Sequence, residues 1–181
     1  MKIGIIVGSI RQGRAGSAVA KFVAEQAEGR ENEYEVIELA DFNVPLLTSN
    51  TLPGMANKQY ETPEVTAWSA AIDECDAYVF VTAEYNHGIP GAFKNAVDSL
   101  GSEWNGKAVA FVSYGAAGGF RAVEHWRPVI ANFSMFDVRA QVDFNLFVDW
   151  KDGVFAPGER KAGEIAGMLN QLEQAAYRMI D

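Results

Sequence analysis

Two hydroxyl groups and one guanidinium group lie close together near the start of the chain, in a segment of small residues. Ser9 and Arg11 follow an apolar run at 3–7, and Ser17 comes six residues after Arg11. Where such a loop joins a strand to a helix, backbone N–H groups and the positive end of the helix dipole meet, and hydroxyl and guanidinium groups can complete a phosphate site. Ser9, Arg11 and Ser17 are therefore candidate ligands for a phosphorylated cofactor. An ordinary solvated turn is the alternative, because the segment contains neither GxGxxG nor GxxxxGK[ST].

Two later loops have residue types that suit the recognition of a flat ring. The candidates are Ala83, Glu84, Tyr85, Asn86 and His87 after one apolar run, and Ser113, Gly115, Gly118 and Gly119 after the next. Main-chain groups in such loops can read the polar edge of a heteroaromatic ring, while Tyr85 or His87 lies against its face. A phosphate site together with a ring site describes FMN. Each loop also has a structural interpretation, in which Tyr85 packs, His87 forms a turn and Gly118-Gly119 begins a helix.

Strands and helices alternate along the chain in a way that would bring these loops together. Apolar, β-branched runs predict five strands, at 3–7, 34–39, 77–82, 107–114 and 138–142, and a helical pattern follows each of them. This alternation predicts an α/β fold, a doubly wound five-stranded parallel sheet with helices on both faces. We expect the flavodoxin-like strand order 2-1-3-4-5. Ligands of such sheets bind beyond the carboxyl ends of the strands, so the three loops should line one crevice.

The composition restricts the possible classes of protein. With 181 residues, 49% of them hydrophobic and 22% charged, the sequence suits one globular domain spanning 1–181. The net charge of −9 argues against nucleic acid or an anionic membrane as a partner, since both need clustered Lys and Arg. The sequence has no signal-peptide pattern and no apolar run of about 18 residues, so we expect a cytoplasmic protein. Cys75 is the single cysteine, which predicts a buried thiol, and no metal-site spacing occurs.

The connection at 41–60 is longer than most loops and carries apolar side chains that need cover. These are Leu46, Leu47, Leu52 and Met55. Trp126, on the helix after the glycine-rich loop, is predicted to add to the same exposed apolar surface. We therefore expect a homodimer or a homotetramer.

The three loops contain motifs of a known family. The first strand is followed by Gly8-Ser9-Ile10-Arg11, which matches GS-x-R, and the fourth by Ser113-Tyr114-Gly115 with Gly118-Gly119-Phe120-Arg121-Ala122, which matches S-x-G-x-x-G-G-x-R-A. The third is followed by Glu84-Tyr85-Asn86, Pro90-Gly91 and Lys94-Asn95-Ala96-Val97-Asp98, which match P-E-Y-N-x-x-x-P-G-x-L-K-N-A-[IV]-D. Over its whole length the chain resembles the NADPH-dependent FMN reductases. Two departures are Ala83, where proline is usual, and Phe93, where leucine is usual.

The resemblance implies that FMN binds with its phosphate at Ser9, Arg11 and Ser17 and its ring between the loops at 83–86 and 113–119. NADPH or NADH would reduce the flavin, and a small acceptor would then take the electrons at the same place. No side chain is expected to be catalytic, although His87 could donate a proton. A preference for NADPH would need a cation near its 2′-phosphate, and Arg14, Arg121 and Arg127 are all open candidates.

Three functional classes follow from these observations. The first is an NAD(P)H-dependent oxidoreductase that reduces a flavin, a quinone, an azo dye or a metal oxyanion. The second is an FMN electron carrier like flavodoxin, which the acidic charge permits. The third is a regulatory or interaction protein on the same fold that binds no flavin.

Overall fold

Five parallel strands form the central sheet of the protein. The computed structural model describes residues 1–180, so the predicted domain end at 181 lies just outside the described residues. The strands of the sheet are β1 Lys2–Val7, β2 Glu33–Glu38, β3 Ala77–Ala83, β4 Ala108–Gly115 and β5 Phe136–Asn145. Their order is β2-β1-β3-β4-β5, which confirms the predicted fold. In the register of the sheet, Ile5 of β1 pairs with Val36 on one side and Val79 on the other.

Besides a short 3₁₀ helix at Pro53–Met55, residues 1–180 contain six α-helices, which lie between or after the strands and cover both faces of the sheet. They are α1 Gly16–Ala27, α2 Leu39–Phe42, α3 Pro63–Asp73, α4 Gly91–Asp98, α5 Phe120–Ala131 and α6 Arg160–Ile180. One buried apolar cluster joins α1 and α6 to one face, and a second cluster joins α3, α4 and α5 to the other. The strands β3 and β4 are buried along their whole length, which explains their continuous apolar sequence. None of the helices within residues 1–180 has the length and apolar character needed to cross a membrane.

The second cluster is rich in aromatic side chains and contains Trp126, so the prediction that Trp126 is exposed is wrong. Trp126 is fully buried, with its ring centroid 4.7 Å from that of Phe93 and 5.3 Å from that of Phe80. Its indole Nε1 donates a hydrogen bond to Thr82 Oγ1 at 3.1 Å. The helix α5 therefore turns its tryptophan toward the sheet. Phe93 is also buried, and so is Cys75, as the sequence predicts.

The 43–62 segment, between α2 and α3, is tied to the body of the protein by polar contacts. Asn95 on α4 accepts from the Leu47 N–H at 2.9 Å and donates to the Pro45 carbonyl at 2.8 Å. Near the other end, Tyr60 Oη donates to the carboxyl group of Glu103 at 2.6 Å. The apolar side chains between these points stay exposed, with exposed fractions of 78% for Leu46, 67% for Leu52 and 71% for Met55.

Glu103 is fully buried, and three groups donate hydrogen bonds to its carboxyl oxygens. Besides Tyr60, the Ser69 hydroxyl donates to Oε1 at 2.6 Å and the Gly101 N–H donates to Oε2 at 3.0 Å. Burial and the hydrogen bond to Glu103 both raise the pKa of Tyr60 above its usual range. Glu103 thus joins the 43–62 segment, α3 and the loop before β4.

Two features beyond the predicted elements occur at the edges of the sheet. Leu39, predicted to end the second strand, instead begins the short helix α2, and a hairpin of β6 Trp150–Lys151 and β7 Val154–Phe155 follows β5. The outer strand β5 has an irregularity in its pairing with β4 between Val109 and Phe111. Near it, the Gln171 side chain of α6 accepts a hydrogen bond from the Ala140 N–H at 3.1 Å.

Candidate cofactor site at the carboxyl edge of the sheet

The three loops chosen from the sequence meet at the carboxyl ends of β1, β3 and β4. They enclose a cleft of about 360 Å³. Its lining consists of Ser9, Arg11, Gly13, Arg14, Ala15, Ala83, Glu84, Tyr85, Tyr114, Gly115, Ala116 and Leu146. Of the candidates, Ser9, Arg11, Ala83, Glu84, Tyr85 and Gly115 therefore share one wall, whereas Ser17, Asn86, His87, Ser113, Gly118 and Gly119 are not part of it.

The loop after β1 has the features of an anion site. Ser9 is buried, and its Oγ lies 2.6 Å from Tyr85 Oη and 3.4 Å from the Arg11 N–H. Ala15 precedes α1 and has no side chain that could cap it, so the N–H groups of Gly16, Ser17 and Ala18 have no side-chain partner there, whereas the Val19 N–H donates to the Ala15 carbonyl at 3.3 Å. Ser17 is the second residue of α1 and is half-buried. Backbone N–H groups at the start of α1 are therefore available as hydrogen-bond donors beside the loop in which the sequence predicts a phosphate site.

The loop after β3 is a tight two-residue turn. Tyr85 and Gly88 exchange both backbone hydrogen bonds, each 3.0 Å long. The two residues between them, Asn86 and His87, have φ of 50° and 67° and are exposed. Because both lie in the left-handed region, the turn is of the type that normally selects asparagine and glycine. Asn86 and His87 thus shape the turn, and His87 lies outside the cleft wall.

Glu84 is fixed at the floor of the cleft by Arg121 from the start of α5. The Arg121 backbone N–H donates to Oε2 at 3.1 Å, its Nε donates to Oε1 at 2.7 Å, and its Nη2 also contacts Oε1. Burial acts to raise the pKa of Glu84, but the hydrogen bonds and positive charge of Arg121 outweigh it, so this pKa is lowered. The pair links the loop after β3 to the loop after β4.

The loop after β4 requires glycine at two consecutive positions. Gly118 and Gly119 have φ of 79° and 81°. A Cβ on Gly118 would lie 2.6 Å from Asp143 Oδ2, and one on Gly119 would lie 2.9 Å from the Tyr114 carbonyl. Ser113 supports the loop from below, since its buried Oγ donates to the Gly118 carbonyl at 2.7 Å. Gly118, Gly119 and Ser113 therefore shape the loop that presents Gly115 and Ala116 to the cleft.

Tyr114 was not among the candidates, although it lies between Ser113 and Gly115. It lines the cleft, its residue is 5% exposed, and its Oη has no hydrogen-bond partner among the described residues. Burial raises the pKa of Tyr114 to about 12, while nearby Ser9 and the Gly16 N–H act in the opposite direction without making a bond of normal geometry. A bulky tyrosine at the end of a strand of small and β-branched residues is the signal that could have identified it.

The arginines proposed for NADPH discrimination are already engaged by other side chains. Arg14 Nε donates to Glu38 at 2.8 Å, and Arg121 is held by Glu84. Arg127 contacts Asp137 and also donates to Gln141 at 2.8 Å and to Glu124 at 3.1 Å. Arg11, by contrast, is exposed and forms no ion pair with a described carboxylate, and its Cζ lies 6.0 Å from the Tyr85 ring centroid.

A further wall of the cleft comes from residues after β5 that sequence analysis did not select. The Leu146 N–H donates to the Gly115 carbonyl at 3.0 Å, and Asn145 Nδ2 donates to the Ala116 carbonyl at 2.9 Å. Beyond Leu146, a wider opening of about 620 Å³ continues along Phe147 and the hairpin residues Trp150 and Phe155. These contacts lie more than 25 residues apart in sequence, which is why local motifs do not predict them.

A doubly wound parallel sheet in the order β2-β1-β3-β4-β5, with a cleft beyond the carboxyl ends of its central strands, is typical of the flavodoxin-like class. The sequence model of the NADPH-dependent FMN reductase family matches residues 1–149, and the chain belongs to this family. The family predicted from the motifs is thereby confirmed. This membership also confirms the predicted functional class, which is an oxidoreductase that uses FMN and a nicotinamide cofactor.

Relatives in sequence agree with this membership, and a solved structure shares the fold. An NAD(P)H-dependent FMN reductase of Nectria sp is 35% identical over 186 residues, covering 96% of this chain and 92% of the relative. A quinone reductase of Pseudomonas putida is 36% identical over 131 residues, covering 66% of this chain and 64% of the relative. A flavoenzyme NAD(P)H:(acceptor) oxidoreductase of Paracoccus denitrificans superposes with a TM-score of 0.73 at 21% identity, covering 96% of this chain and 98% of that chain.

Proposed function

We propose that this protein binds FMN in the cleft and uses NAD(P)H to reduce a small acceptor such as a flavin or a quinone. The observation that supports this most strongly is the convergence of an uncapped helix start, Ser9, Arg11 and the unpartnered Tyr114 hydroxyl at one end of the cleft. The other end offers main-chain groups of the loops after β3 and β4. Such a site fits a ligand with a phosphate at one end and a flat polar ring at the other.

The side chains of the chain position the cofactor and do not react themselves. FMN held in the cleft would supply the chemistry of hydride transfer between the nicotinamide and the acceptor. Arg11 and Ser9 hold the phosphate, with Ser17 as the third ligand inferred from the family resemblance. The ion pair between Glu84 and Arg121 keeps the loops after β3 and β4 at a fixed separation, so that their backbone groups can hold the ring edge. No proton donor among the side chains is needed.

Steady-state kinetics test the proposed reaction directly. If nicotinamide and acceptor use one open position in turn, double-reciprocal plots at several acceptor concentrations should be parallel. The experiment uses NADPH and NADH against a flavin, a quinone, an azo dye and chromate. Intersecting lines would contradict the shared position, and no turnover with any acceptor would favour the electron-carrier alternative.

Arg11→Ala should weaken FMN binding by about 1.5–3 kcal/mol, because a guanidinium makes charge-assisted hydrogen bonds to phosphate. The measurement is a titration of the cofactor-free protein with FMN, followed by quenching of flavin fluorescence. Arg139→Ala is a matched control, since Arg139 is an exposed arginine of β5 that does not line the cleft. An unchanged FMN affinity in Arg11→Ala would refute the phosphate assignment.

We also infer that the protein assembles through the 43–62 segment into a homodimer, or into a tetramer of such dimers. Leu46, Leu52 and Met55 are each exposed on a segment whose backbone is held by Asn95, and exposed apolar side chains of this kind suit an interface. Sedimentation equilibrium at micromolar concentration should give at least twice the mass of one chain, and a single-chain mass would refute the assembly.

We further propose a cytoplasmic location, since the buried thiol of Cys75 suits a reducing compartment.

A further inference from the structure

The hydroxyl group of Tyr114 is buried beside the first turn of α1 and forms no hydrogen bond of normal geometry within the described structure. The residue is 5% exposed and its Oη lacks a hydrogen-bond partner among residues 1–180. A buried hydroxyl without a partner destabilises a protein, so its presence needs a reason that the packing of the chain does not supply. Two other hydroxyls of the cleft, those of Ser9 and Tyr85, are 2.6 Å apart and satisfy each other.

The Tyr114 side chain is directed from β4 toward the first turn of α1. A Cβ added to Gly16, the first residue of α1, would lie 2.8 Å from Tyr114 Oη and 3.0 Å from Val7 Cγ1. Glycine at this position therefore leaves the space that the hydroxyl occupies. Backbone N–H groups in the first turn of a helix have no partner within the helix, and α1 has no side-chain cap to satisfy them. The hydroxyl and these N–H groups thus converge on one point.

We propose that Tyr114 is a phosphate ligand that donates a hydrogen bond from Oη to the terminal phosphate of FMN, and that it helps the site to select the phosphorylated flavin. This inference rests on the proposed function, because it concerns the same cofactor. It adds a ligand from the strand that carries the ring-binding loop, so one residue connects the two ends of the cleft. Arg11 and Ser9 come instead from the loop after β1.

The charges and protonation around Tyr114 support a donor role. Its pKa is raised to about 12, mainly by burial, so the hydroxyl keeps its proton throughout the pH range in which enzymes work. Arg14 lies near enough to lower this pKa slightly, while Tyr85 acts to raise it. A neutral hydroxyl beside the first turn of α1, in a cleft that Arg11 and Arg14 also line, is suited to an anion and repels no phosphate oxygen.

Comparison of FMN with riboflavin in the variant Tyr114→Phe tests the assignment. Both ligands are titrated into cofactor-free wild type and variant, and flavin fluorescence is followed. We expect the FMN dissociation constant to rise about tenfold or more, as for the loss of a hydrogen bond to a charged group, with the riboflavin constant unchanged. Tyr34→Phe is the control, because the Tyr34 hydroxyl donates to Glu173 at 2.8 Å, away from the cleft.

Thermal unfolding of the same proteins separates ligand binding from a structural role. Without FMN, Tyr114→Phe should melt no lower than wild type, since it removes an unpartnered polar group, whereas saturating FMN should raise its melting temperature less than that of wild type. Equal loss of FMN and riboflavin affinity, unchanged FMN affinity, or a lower melting temperature without FMN would each overturn the assignment. If the wild-type protein binds neither flavin, the proposed function itself is refuted. If the wild-type protein binds FMN and Tyr114→Phe binds it equally well, only the role of Tyr114 is refuted.

Discussion

Replacement of Gly8 by alanine is expected to reduce the free energy of unfolding by about 3 kcal/mol, or about 6–12 °C in melting temperature for a chain of this size. A Cβ at this position would lie 1.9 Å from Phe93 Cδ1. Phe93 cannot move away, because its ring is fully buried between those of Phe80 and Trp126. The backbone is fixed as well, since the Gly8 N–H donates to the Val81 carbonyl at 3.0 Å.

Two further variants show whether the steric conflict is the cause. Gly91→Ala is the control, because a Cβ on Gly91 at the start of α4 meets nothing within 4 Å, and its melting temperature should not fall. Adding Phe93→Leu to Gly8→Ala should recover part of the loss, since the smaller side chain leaves room for the new methyl group. Calorimetry or circular dichroism measures all four proteins. Equal melting temperatures for wild type and Gly8→Ala would contradict the prediction, because they would show that the structure accommodates the new Cβ next to Phe93 without losing stability.

Replacement of Glu103 by alanine is expected to reduce the free energy of unfolding by about 3 kcal/mol or more. The change leaves the buried Ser69 hydroxyl and the Gly101 N–H without an acceptor, and each buried group that loses its partner costs about 1–3 kcal/mol. Tyr60 is only half-buried and can turn toward water. The same change releases one attachment of the 43–62 segment, so trypsin should cleave after Lys58 faster than in wild type.

The control variants for Glu103 separate hydrogen bonding from charge. Glu103→Gln keeps the shape and one acceptor oxygen for Tyr60 and Ser69, so about half the effect or less is expected in urea unfolding. Glu31→Ala removes an exposed glutamate that forms no ion pair with a described residue, and it should change the free energy of unfolding by less than about 0.5 kcal/mol. A Glu103→Ala protein as stable as Glu31→Ala would show that the buried network contributes nothing.

The sheet and its strand order can be predicted from the sequence because each central strand consists mainly of consecutive apolar residues. Burial on both faces forces this composition in β3 and β4, and the alternation with helices leaves few topologies. The positions of Ser9, Arg11, Ala83, Glu84, Tyr85 and Gly115 in one cleft follow from the same rule, since parallel strands bring their carboxyl ends to one edge.

The errors of the sequence analysis concern side chains whose environment is set by distant elements. Trp126 is next to His125 and Arg127 in sequence and gives no local sign that Phe80 and Phe93 enclose it. The role of Tyr114 depends on α1, which lies about a hundred residues earlier and carries no side chain at Gly16. Leu146, which lines the cleft, and the β6–β7 hairpin both follow β5. The strands of this hairpin are two residues long, and such short strands give too weak a hydrophobic pattern to be predicted from sequence.

The contact between Gln171 and Ala140 affects how copies of this protein can meet. An outer strand with free backbone groups invites a neighbouring chain to continue the sheet, which is a common route to insoluble material. On β5 the irregular pairing with β4 interrupts the ladder, and the Gln171 amide occupies the Ala140 N–H. A docking strand would have to displace this side chain before its own hydrogen bonds could form. Growth of the sheet from one copy into the next is therefore opposed at Ala140, which favours association through side-chain surfaces.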